Sequence, residues 1–270
     1  MQTLRVNGYD MAYIGVGHGP PLVCVHGTLG DFRTWSAVMG PLSKTRRVIA
    51  PSLRHFFPEQ WNGVGDDYLM SQHVDDTIGF IAQIDPGPVD LMGHSRGGHI
   101  AFRVAQQRPG LLRKLVLLEP GGDLDASLSP TAETSPTASL TGRTAITARK
   151  IADGDIDGAL QNFVDGIDGD GAWARLPAAP RQQLRDNIFT LIGQVDEKRA
   201  PYSKADAQAI RTPTLFIGGA ASKGSLPALL PILAAEVPGA RTAMIAGAGH
   251  WMFDQAPQAF CDIVLEFLAA

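Results

Sequence analysis

Short apolar runs alternate with helical patterns along most of the chain, and this alternation restricts the possible folds more than any other feature. Runs bounded by glycine or proline predict buried strands at residues 21–27, 46–51, 88–93, 113–120, 213–219 and 241–247. Apolar residues at helical spacing predict helices at 71–84, 96–109, 226–237 and 257–269. Strands that alternate with helices predict an α/β fold with a mostly parallel, twisted sheet and helices on both faces. The opening LRVNGYDMAYIG predicts an antiparallel hairpin at one edge of that sheet.

One region interrupts the alternation. The segment 127–142 is rich in Ser, Thr and Pro, which predicts a loop. Helical patterns follow at 142–153, 155–166 and 180–195, with no strand pattern among them. A helical excursion between two strands predicts an inserted cap. We therefore expect an α/β core at 1–120 and 206–270 and a helical cap at 121–205.

Composition excludes several classes of function. The 270 residues are 44% apolar, which allows a sizeable core, and carry a net charge of −4, which argues against a nucleic-acid surface. No signal-like start and no long apolar run are visible, so we expect a cytoplasmic protein without a membrane segment. Cys24 and Cys261 lie in apolar segments and are expected to be buried free thiols. No residues stand at metal-ligand spacing, so no metal or cofactor is expected.

A candidate nucleophile stands where a predicted strand meets a predicted helix. Residues 93–97 read Gly-His-Ser-Arg-Gly and match G-x-S-x-G, with Ser95 at the turn. Such a turn holds the serine in a strained backbone conformation, and the helix N-terminus points free N–H groups at charge that develops beside it. The alternative is an ordinary tight turn between strand and helix.

A serine needs a base, and His250 is the best placed of the seven histidines. It lies in the glycine-rich loop AGAGHWMFDQAP directly after the last predicted strand. At the carboxyl edge of a parallel sheet, such a loop reaches the strand that carries Ser95. His94 and His99 are interpreted as packing residues, and a surface position for His250 is the alternative.

The turn after the first parallel strand supplies candidate oxyanion donors. His26 and Gly27 follow the strand, so the next N–H groups face the cleft. We assign the N–H of Thr28 and of Arg96 as the two donors, with Leu29 as a substitute for Thr28. His26 is interpreted as a residue that stabilises the turn.

In its motifs the chain resembles the α/β-hydrolase superfamily, in its serine hydrolase branch of esterases and lactonases. The resemblance rests on VCVHGTLG, MGHSRGG and GAGHWMFDQAP in that order, and it covers nearly the whole chain outside the cap. The family's order of nucleophile, acid and histidine implies Ser95 as nucleophile and His250 as base.

The acid departs from the family pattern. Relatives usually place an aspartate after the strand that matches PTLFIGG, where this chain has GGAASKGSL with Ser222 near the expected position. Some relatives, including zearalenone-type lactonases, instead use an acid after the strand that follows the nucleophile's helix. In this chain that position holds Glu119, which we assign as the acid, with Asp123 as second choice.

These assignments imply a serine hydrolase that needs no cofactor and cleaves a small, largely apolar carboxylic ester or lactone through an acyl-enzyme. A ligand-binding protein on the same fold, or a lyase or perhydrolase, is the alternative. A dehalogenase or epoxide hydrolase is disfavoured, because those relatives need an aspartate where Ser95 stands. We expect a monomer or homodimer. The residues expected to line the pocket are Leu29, Trp35, Phe56, Phe57, Trp61, Trp173, Phe189 and Trp251.

Overall fold

An eight-stranded sheet forms the centre of the structure, a computed structural model that describes residues 1–129, 136–195 and 197–270. The spatial order of its strands is β1-β2-β4-β3-β5-β6-β7-β8. Only the pairs β1–β2 and β2–β4 are antiparallel among those described. In chain order the strands are β1 (Gln2–Val6), β2 (Tyr9–Val16), β3 (Pro21–Val25), β4 (Arg47–Pro51), β5 (Val89–His94), β6 (Leu112–Leu118), β7 (Thr214–Gly219) and β8 (Arg241–Ile245).

The sequence-based fold class is therefore confirmed. Each apolar run from 21 to 247 contains one parallel strand, and the opening residues form the expected edge hairpin. The helices outside the region between β6 and β7 are α1 (Ser36–Leu42), α2 (Met70–Ile84), α3 (Arg96–Gln107), α10 (Ser225–Glu236), α11 (Met252–Gln255) and α12 (Pro257–Ala269).

Side chains alternate along the strands between two apolar clusters, one on each face of the sheet. On β3, Val23 and Val25 belong to the cluster that includes residues of α2, α3 and α10. Leu22 and Cys24 belong to the cluster that includes residues of α1 and α12. This period of two, with both faces covered, explains why the central strands read as continuous apolar runs. Both thiols, Cys24 and Cys261, are free and buried.

Helices fill the chain between β6 and β7. They are α4 (Pro136–Ala152), α5 (Ile156–Asp168), α6 (Ala172–Arg175), α7 (Ala178–Asp186), α8 (Thr190–Gly193) and α9 (Lys204–Ala209). A third apolar cluster joins α4 to α8 and includes Leu160, Trp173 and Leu191, together with Leu29 from the core. No helix of the described residues is long and apolar enough to cross a membrane.

The loop expected at 127–142 differs from the structure. Residues 130–135 of that segment lie outside the described residues, and the helix α4 begins at Pro136. Proline is tolerated in the first turn of a helix, because its missing N–H would have no partner there. The single helix expected at 180–195 is divided into α7 and α8 at Asn187. The division of the chain into core and cap at 121 and 205 stays a prediction.

Candidate active site

Ser95 occupies a sharp turn between β5 and α3. Its backbone has φ 52° and ψ −114°, a conformation that side chains other than glycine rarely adopt. The two flanking glycines allow close backbone approach. A Cβ on Gly93 would collide with the carbonyl oxygen of Gly97, and a Cβ on Gly97 would collide with that of Val25. The turn thus needs glycine on both sides, and it presents Ser95 at the carboxyl edge of the sheet.

His250 and Glu119 meet at the same edge. Glu119 directly follows β6, and its Oε2 lies 2.6 Å from His250 Nδ1. Both side chains are buried. The other carboxylate oxygen, Oε1, accepts a hydrogen bond of 2.9 Å from the Gly219 N–H at the end of β7. These contacts fix the carboxylate between the ends of β6 and β7. The carboxylate bonds His250 through Nδ1, so the Nε2 atom takes no part in that contact.

The Glu119 carboxylate is held in its charged form. Burial acts to raise the pKa of Glu119, but the contacts with His250, Ser222 and the Gly219 N–H together outweigh it, and the pKa lies below its ordinary value. The hydroxyl of Ser222 contributes to this lowering, although its buried Oγ makes no hydrogen bond of normal geometry. Ser222 stands near the position where relatives usually have their acid. In this chain the serine at that position instead contacts the carboxylate of Glu119.

The other candidate acids lie apart from His250. Asp123 lines a cavity that also contains Ser95, and its Oδ1 is buried without a hydrogen-bond partner in the part of the chain that the structure describes. Glu236, on α10, forms an ion pair with Lys204 at 3.1 Å and accepts a hydrogen bond from Gln208.

His94 makes a contact that sequence reasoning interpreted as packing alone. Its ring lies 4.4 Å from that of His250, and its Nε2 donates a 3.0 Å hydrogen bond to the His250 backbone oxygen. Burial, followed by the nearby His250, lowers the pKa of His94 well below its ordinary value, so His94 is neutral. The signal available in the sequence was its position directly before Ser95. His94 therefore anchors the His250 loop.

The turn after β3 lies against the Ser95 turn. A Cβ on Gly27 would stand 3.1 Å from the Cβ of Ser95. His26 Nε2 accepts a hydrogen bond from the Leu53 N–H, and its Nδ1 bonds the Gly27 oxygen at 2.8 Å. Burial lowers the pKa of His26 to about 4. These contacts agree with the interpretation of His26 as a residue that stabilises the turn.

The expected oxyanion donors have free N–H groups. Within the described ranges, the backbone N–H of Thr28, of Leu29 and of Arg96 donates no hydrogen bond. Arg96 occupies the first position of α3, where an N–H has no intrahelical acceptor. Leu29, at φ 60°, directs its buried side chain into the third apolar cluster. Thr28 and Leu29 therefore each offer an N–H group beside the Ser95 turn.

Two cavities flank this edge. One, of about 370 Å³, is lined by Ser95 and Thr28 and by residues of α5, α10 and the segment after α8. The other, of about 750 Å³, is lined by Leu29, Trp251 and residues of α6 and α7. Because Thr28 and Leu29 are consecutive, the proposed oxyanion turn stands between the two cavities.

Most of the aromatic residues expected in the pocket lie elsewhere. Leu29 and Trp251 line the larger cavity, but the other six expected residues line neither one. Trp35 packs on Phe253, Phe56 on His26, Phe57 on Phe32, and Trp61 stacks on His55. Trp173 lies in the third apolar cluster, and Phe189 is exposed. Aromatic side chains bury more area in packed clusters than at a cavity wall, so residue type alone misplaces them.

A buried charged network missed by sequence reasoning lies behind Ser95. Both ends of the Arg96 guanidinium bind the carboxylate of Glu197, with Nη1 2.6 Å from Oε2. Arg96 Nη2 also donates a 2.7 Å hydrogen bond to His73 Nδ1, and Arg199 Nε lies 2.8 Å from Glu197 Oε2. Burial acts to raise the pKa of Glu197, but the two guanidiniums lower it to about 2. The sequence shows these charges but not their proximity.

A second contact joins the region between β6 and β7 to the His250 loop. Asp168, the last residue of α5, lies beside Gly249, where a Cβ would stand 3.6 Å from its Oδ1. Burial raises the pKa of Asp168, opposed by nearby His250 and by the indole of Trp251. Groups of three or more metal-ligating side chains are absent from the described residues.

Comparisons with known proteins agree with this fold. The family model described as "Alpha/beta hydrolase family" matches residues 22–263. The chain is 27% identical over 269 residues to the sn-1-specific diacylglycerol lipase of Mus musculus, covering 93% of this chain and 81% of that protein. The solved structure of an enol-lactonase from Burkholderia xenovorans LB400 is 20% identical, with a TM-score of 0.76 over 99% of this chain and 100% of that one. The epoxide hydrolase CorEH is also 20% identical, with a TM-score of 0.79 over 99% and 98% of the two chains. The chain belongs to the alpha/beta hydrolase family.

Proposed function

We propose that the protein is a serine hydrolase that cleaves a small carboxylic ester or lactone through an acyl-enzyme on Ser95. The observation that supports this most is the contact of Glu119 with His250 at the edge that carries the strained Ser95 turn. A carboxylate on His250 Nδ1 selects the tautomer with Nδ1–H, which leaves the Nε2 lone pair free to accept a proton. Sequence reasoning reached the same three residues.

The reaction proceeds in two steps. Ser95 Oγ attacks the carbonyl carbon while His250 Nε2 takes the hydroxyl proton, and the carbonyl electron pair moves to oxygen. The N–H groups of Arg96 and of Thr28 or Leu29 stabilise that oxyanion. The intermediate then expels the alcohol, to which His250 gives the proton. Water, deprotonated by His250, attacks the acyl-enzyme and releases a carboxylic acid and free Ser95.

Glu119 keeps its negative charge throughout. The charge stabilises the imidazolium that forms on His250 during each attack. Because the pKa of Glu119 is lowered, the carboxylate does not itself take the proton from His250. The bond from Gly219 N–H holds the carboxylate in place while the imidazole gains and loses its proton. His94 holds the backbone of the His250 loop through its hydrogen bond to the His250 backbone oxygen.

Epoxide hydrolysis is disfavoured, despite the likeness in fold to CorEH. Relatives with that activity attack with an aspartate at the position of Ser95, and a serine gives no equivalent ester that water can cleave. The larger cavity beside Leu29 and Trp251 accommodates the apolar part of an ester or lactone. Both cavities depart from the largely apolar lining expected from the sequence, since charged side chains line each of them.

Two measurements test the proposal. A fluorophosphonate probe should label the wild-type protein and leave Ser95→Ala unlabelled. A series of p-nitrophenyl esters of rising chain length, together with several lactones, should be hydrolysed by the wild type alone. A protein that binds these compounds without labelling and without turnover would be a binding protein on the hydrolase fold.

A further inference from the structure

We propose that the cavity containing Ser95 binds a carboxylate of the substrate, with Arg199 as its main contact. The inference rests on the proposed serine hydrolase function and adds to it a class of substrate: esters or lactones that carry a second, ionised carboxyl group. Four features of the described residues support it: a held guanidinium, an excess of positive charge, a link to the oxyanion turn, and unpaired ammonium groups.

Arg199 is held in position but keeps one donor edge free. Its Nε lies 2.8 Å from Glu197 Oε2, and its Nη2 donates a 3.1 Å hydrogen bond to Gln194 Oε1. Nη1 donates no bond within the ranges that the structure describes, and the side chain is 23% exposed in a wall of the cavity. A guanidinium fixed at two of its nitrogens loses little entropy when it binds a carboxylate.

The network around Arg199 carries more positive than negative charge. Arg96 and Arg199 share the single carboxylate of Glu197, whose side chain is 1% exposed. The excess charge lies on Arg199, whose side chain is 23% exposed, so an anion that binds there can replace water and gain a charge-assisted hydrogen bond. The protein as a whole has a net charge of −4, whereas the described charged residues that line this cavity are three cations and two carboxylates. An anionic ligand supplies the missing compensation.

The charged network reaches the proposed oxyanion turn. Gln194 Oε1 accepts the bond from Arg199 and also a 3.2 Å bond from Thr28 Oγ1. A carboxylate bound at Arg199 is therefore fixed in relation to Thr28 and to Ser95, which line the same cavity. Binding at a distance from the reacting carbonyl in this way orients the carbonyl for attack.

Other charges of the cavity wall are accounted for as follows. Lys198 and Lys223 line it and form no ion pair with any described residue. Asp123 also lines it and opposes an anion, but its unpartnered Oδ1 is free to accept a hydrogen bond from a hydroxyl or amide of the substrate. Among the described residues of the wall, two lysines and a fixed arginine therefore stand beside one carboxylate without an ion-pair partner.

The test compares each acid with its neutral isostere. Monomethyl glutarate is paired with its terminal amide, which places the charge on the acyl side. The second pair is 4-acetoxybutanoate and its amide, with the charge on the alcohol side. For at least one pair, we expect the wild type to favour the acid in kcat/KM by about tenfold or more. Two ratios at or below one would overturn the proposal.

Variants locate the effect. Arg199→Gln should bring the ratio of acid to amide close to one, whereas Arg199→Lys should restore part of the preference. Arg211→Gln is the matched control, because Arg211 lines neither cavity, and its ratio should equal that of the wild type. A preference that survives in Arg199→Gln, folded by circular dichroism, would show that Arg199 does not bind the anion. Where Arg199→Gln does not fold, Lys198→Gln should lower the ratio, because Lys198 lines the smaller cavity and not the larger one, and an unchanged ratio would overturn the proposal.

A failure of the proposed function remains distinguishable from a failure of this inference. Turnover of both members of a pair that is lost in Ser95→Ala, but with no preference for the acid, overturns the inference alone. Where nothing is turned over, calorimetric titration with glutarate decides: binding to the wild type that Arg199→Gln weakens about tenfold supports the anion site and contradicts the hydrolase. No binding of glutarate overturns both.

Discussion

The edge of the sheet and the helical region above it position their functional side chains by different means. Ser95 and Glu119 each come directly after a strand, and backbone contacts to neighbouring strand ends fix both. Asp168 and Gln194 instead come from helix ends, and Glu197 from a connecting segment. The sheet edge thus positions the proposed catalytic side chains through backbone geometry, whereas the helical region contributes charged side chains to the cavity.

Arg96 belongs to both regions. Its backbone N–H starts α3 beside Ser95, and its guanidinium binds Glu197 from the region between β6 and β7. We therefore expect a substitution of Glu197 to affect a proposed oxyanion donor, the Arg96 N–H, although Glu197 has no role in the proposed reaction. Substitutions at the sheet edge should lower turnover and leave the fold intact. Substitutions in the helical region should change stability and substrate preference.

The largest effect is expected from Ser95→Ala. The variant should lose at least about 10³-fold in kcat, because no other nucleophile is proposed, while its thermal unfolding temperature stays level or rises. Alanine keeps the turn but gives up a hydroxyl that contributes chemistry rather than packing. Ester hydrolysis and thermal unfolding measured on one preparation check both halves. Near-wild-type turnover would remove Ser95 from the mechanism.

The second-largest effect is expected from Glu119→Gln, whose kcat should fall by a factor of roughly 10²–10⁴. The amide keeps the shape of the carboxylate, but it stabilises no imidazolium and its NH₂ group competes with the His250 Nδ1–H. Glu236→Gln and Asp254→Asn are the matched controls and should stay within about tenfold of wild type. Equal losses in Glu119→Gln and Glu236→Gln would show that the cost is structural.

Sequence reasoning is most effective where backbone pattern determines position, although the roles assigned to the site residues stay predictions. Strand ends and glycines place Ser95, His250 and Glu119 at one edge, since parallel strands deliver their carboxyl ends to the same side. It failed for Trp35, Phe56 and Trp61, because an aromatic residue type is compatible with both a core and a cavity. It also missed the pairing of Arg96 with Glu197, which are 101 residues apart, since the packing of the helical region decides that contact.

Glu197→Gln tests the junction between the two regions. The substitution leaves Arg96 and Arg199 without a carboxylate in a buried setting, and breaking such a pair costs about 3–5 kcal/mol of unfolding free energy. Urea unfolding at neutral pH measures it. A loss below about 1 kcal/mol would mean that water reaches the guanidiniums and that the network is not a buried one.

Lowering the pH should remove the contribution of the Glu197 charge to the free energy of unfolding. The pKa of Glu197 is lowered from 4.5 to about 2 in the folded state, so its contribution is fully present above pH 4.5 and is lost as the pH falls towards 2. The difference in unfolding free energy between wild type and Glu197→Gln should therefore shrink over that window. A difference that is constant from pH 5 to pH 2 would contradict the role of the charge.

The smallest effect is expected from Asp157→Asn, the same change of carboxylate to amide within the helical region. Asp157 forms an ion pair of 2.7 Å with Arg185, but its side chain is 65% exposed. Water solvates both charges in the folded and the unfolded protein, so such pairs contribute about 0–1 kcal/mol. Because Arg185 also lies over the Trp173 ring, it keeps a packing partner when the carboxylate is gone. Urea unfolding should therefore separate the two substitutions by at least about 2 kcal/mol, since only Glu197 leaves buried charge uncompensated. Equal losses would mean that burial does not distinguish the two ion pairs, and the contrast between the junction and the surface of this region would fail.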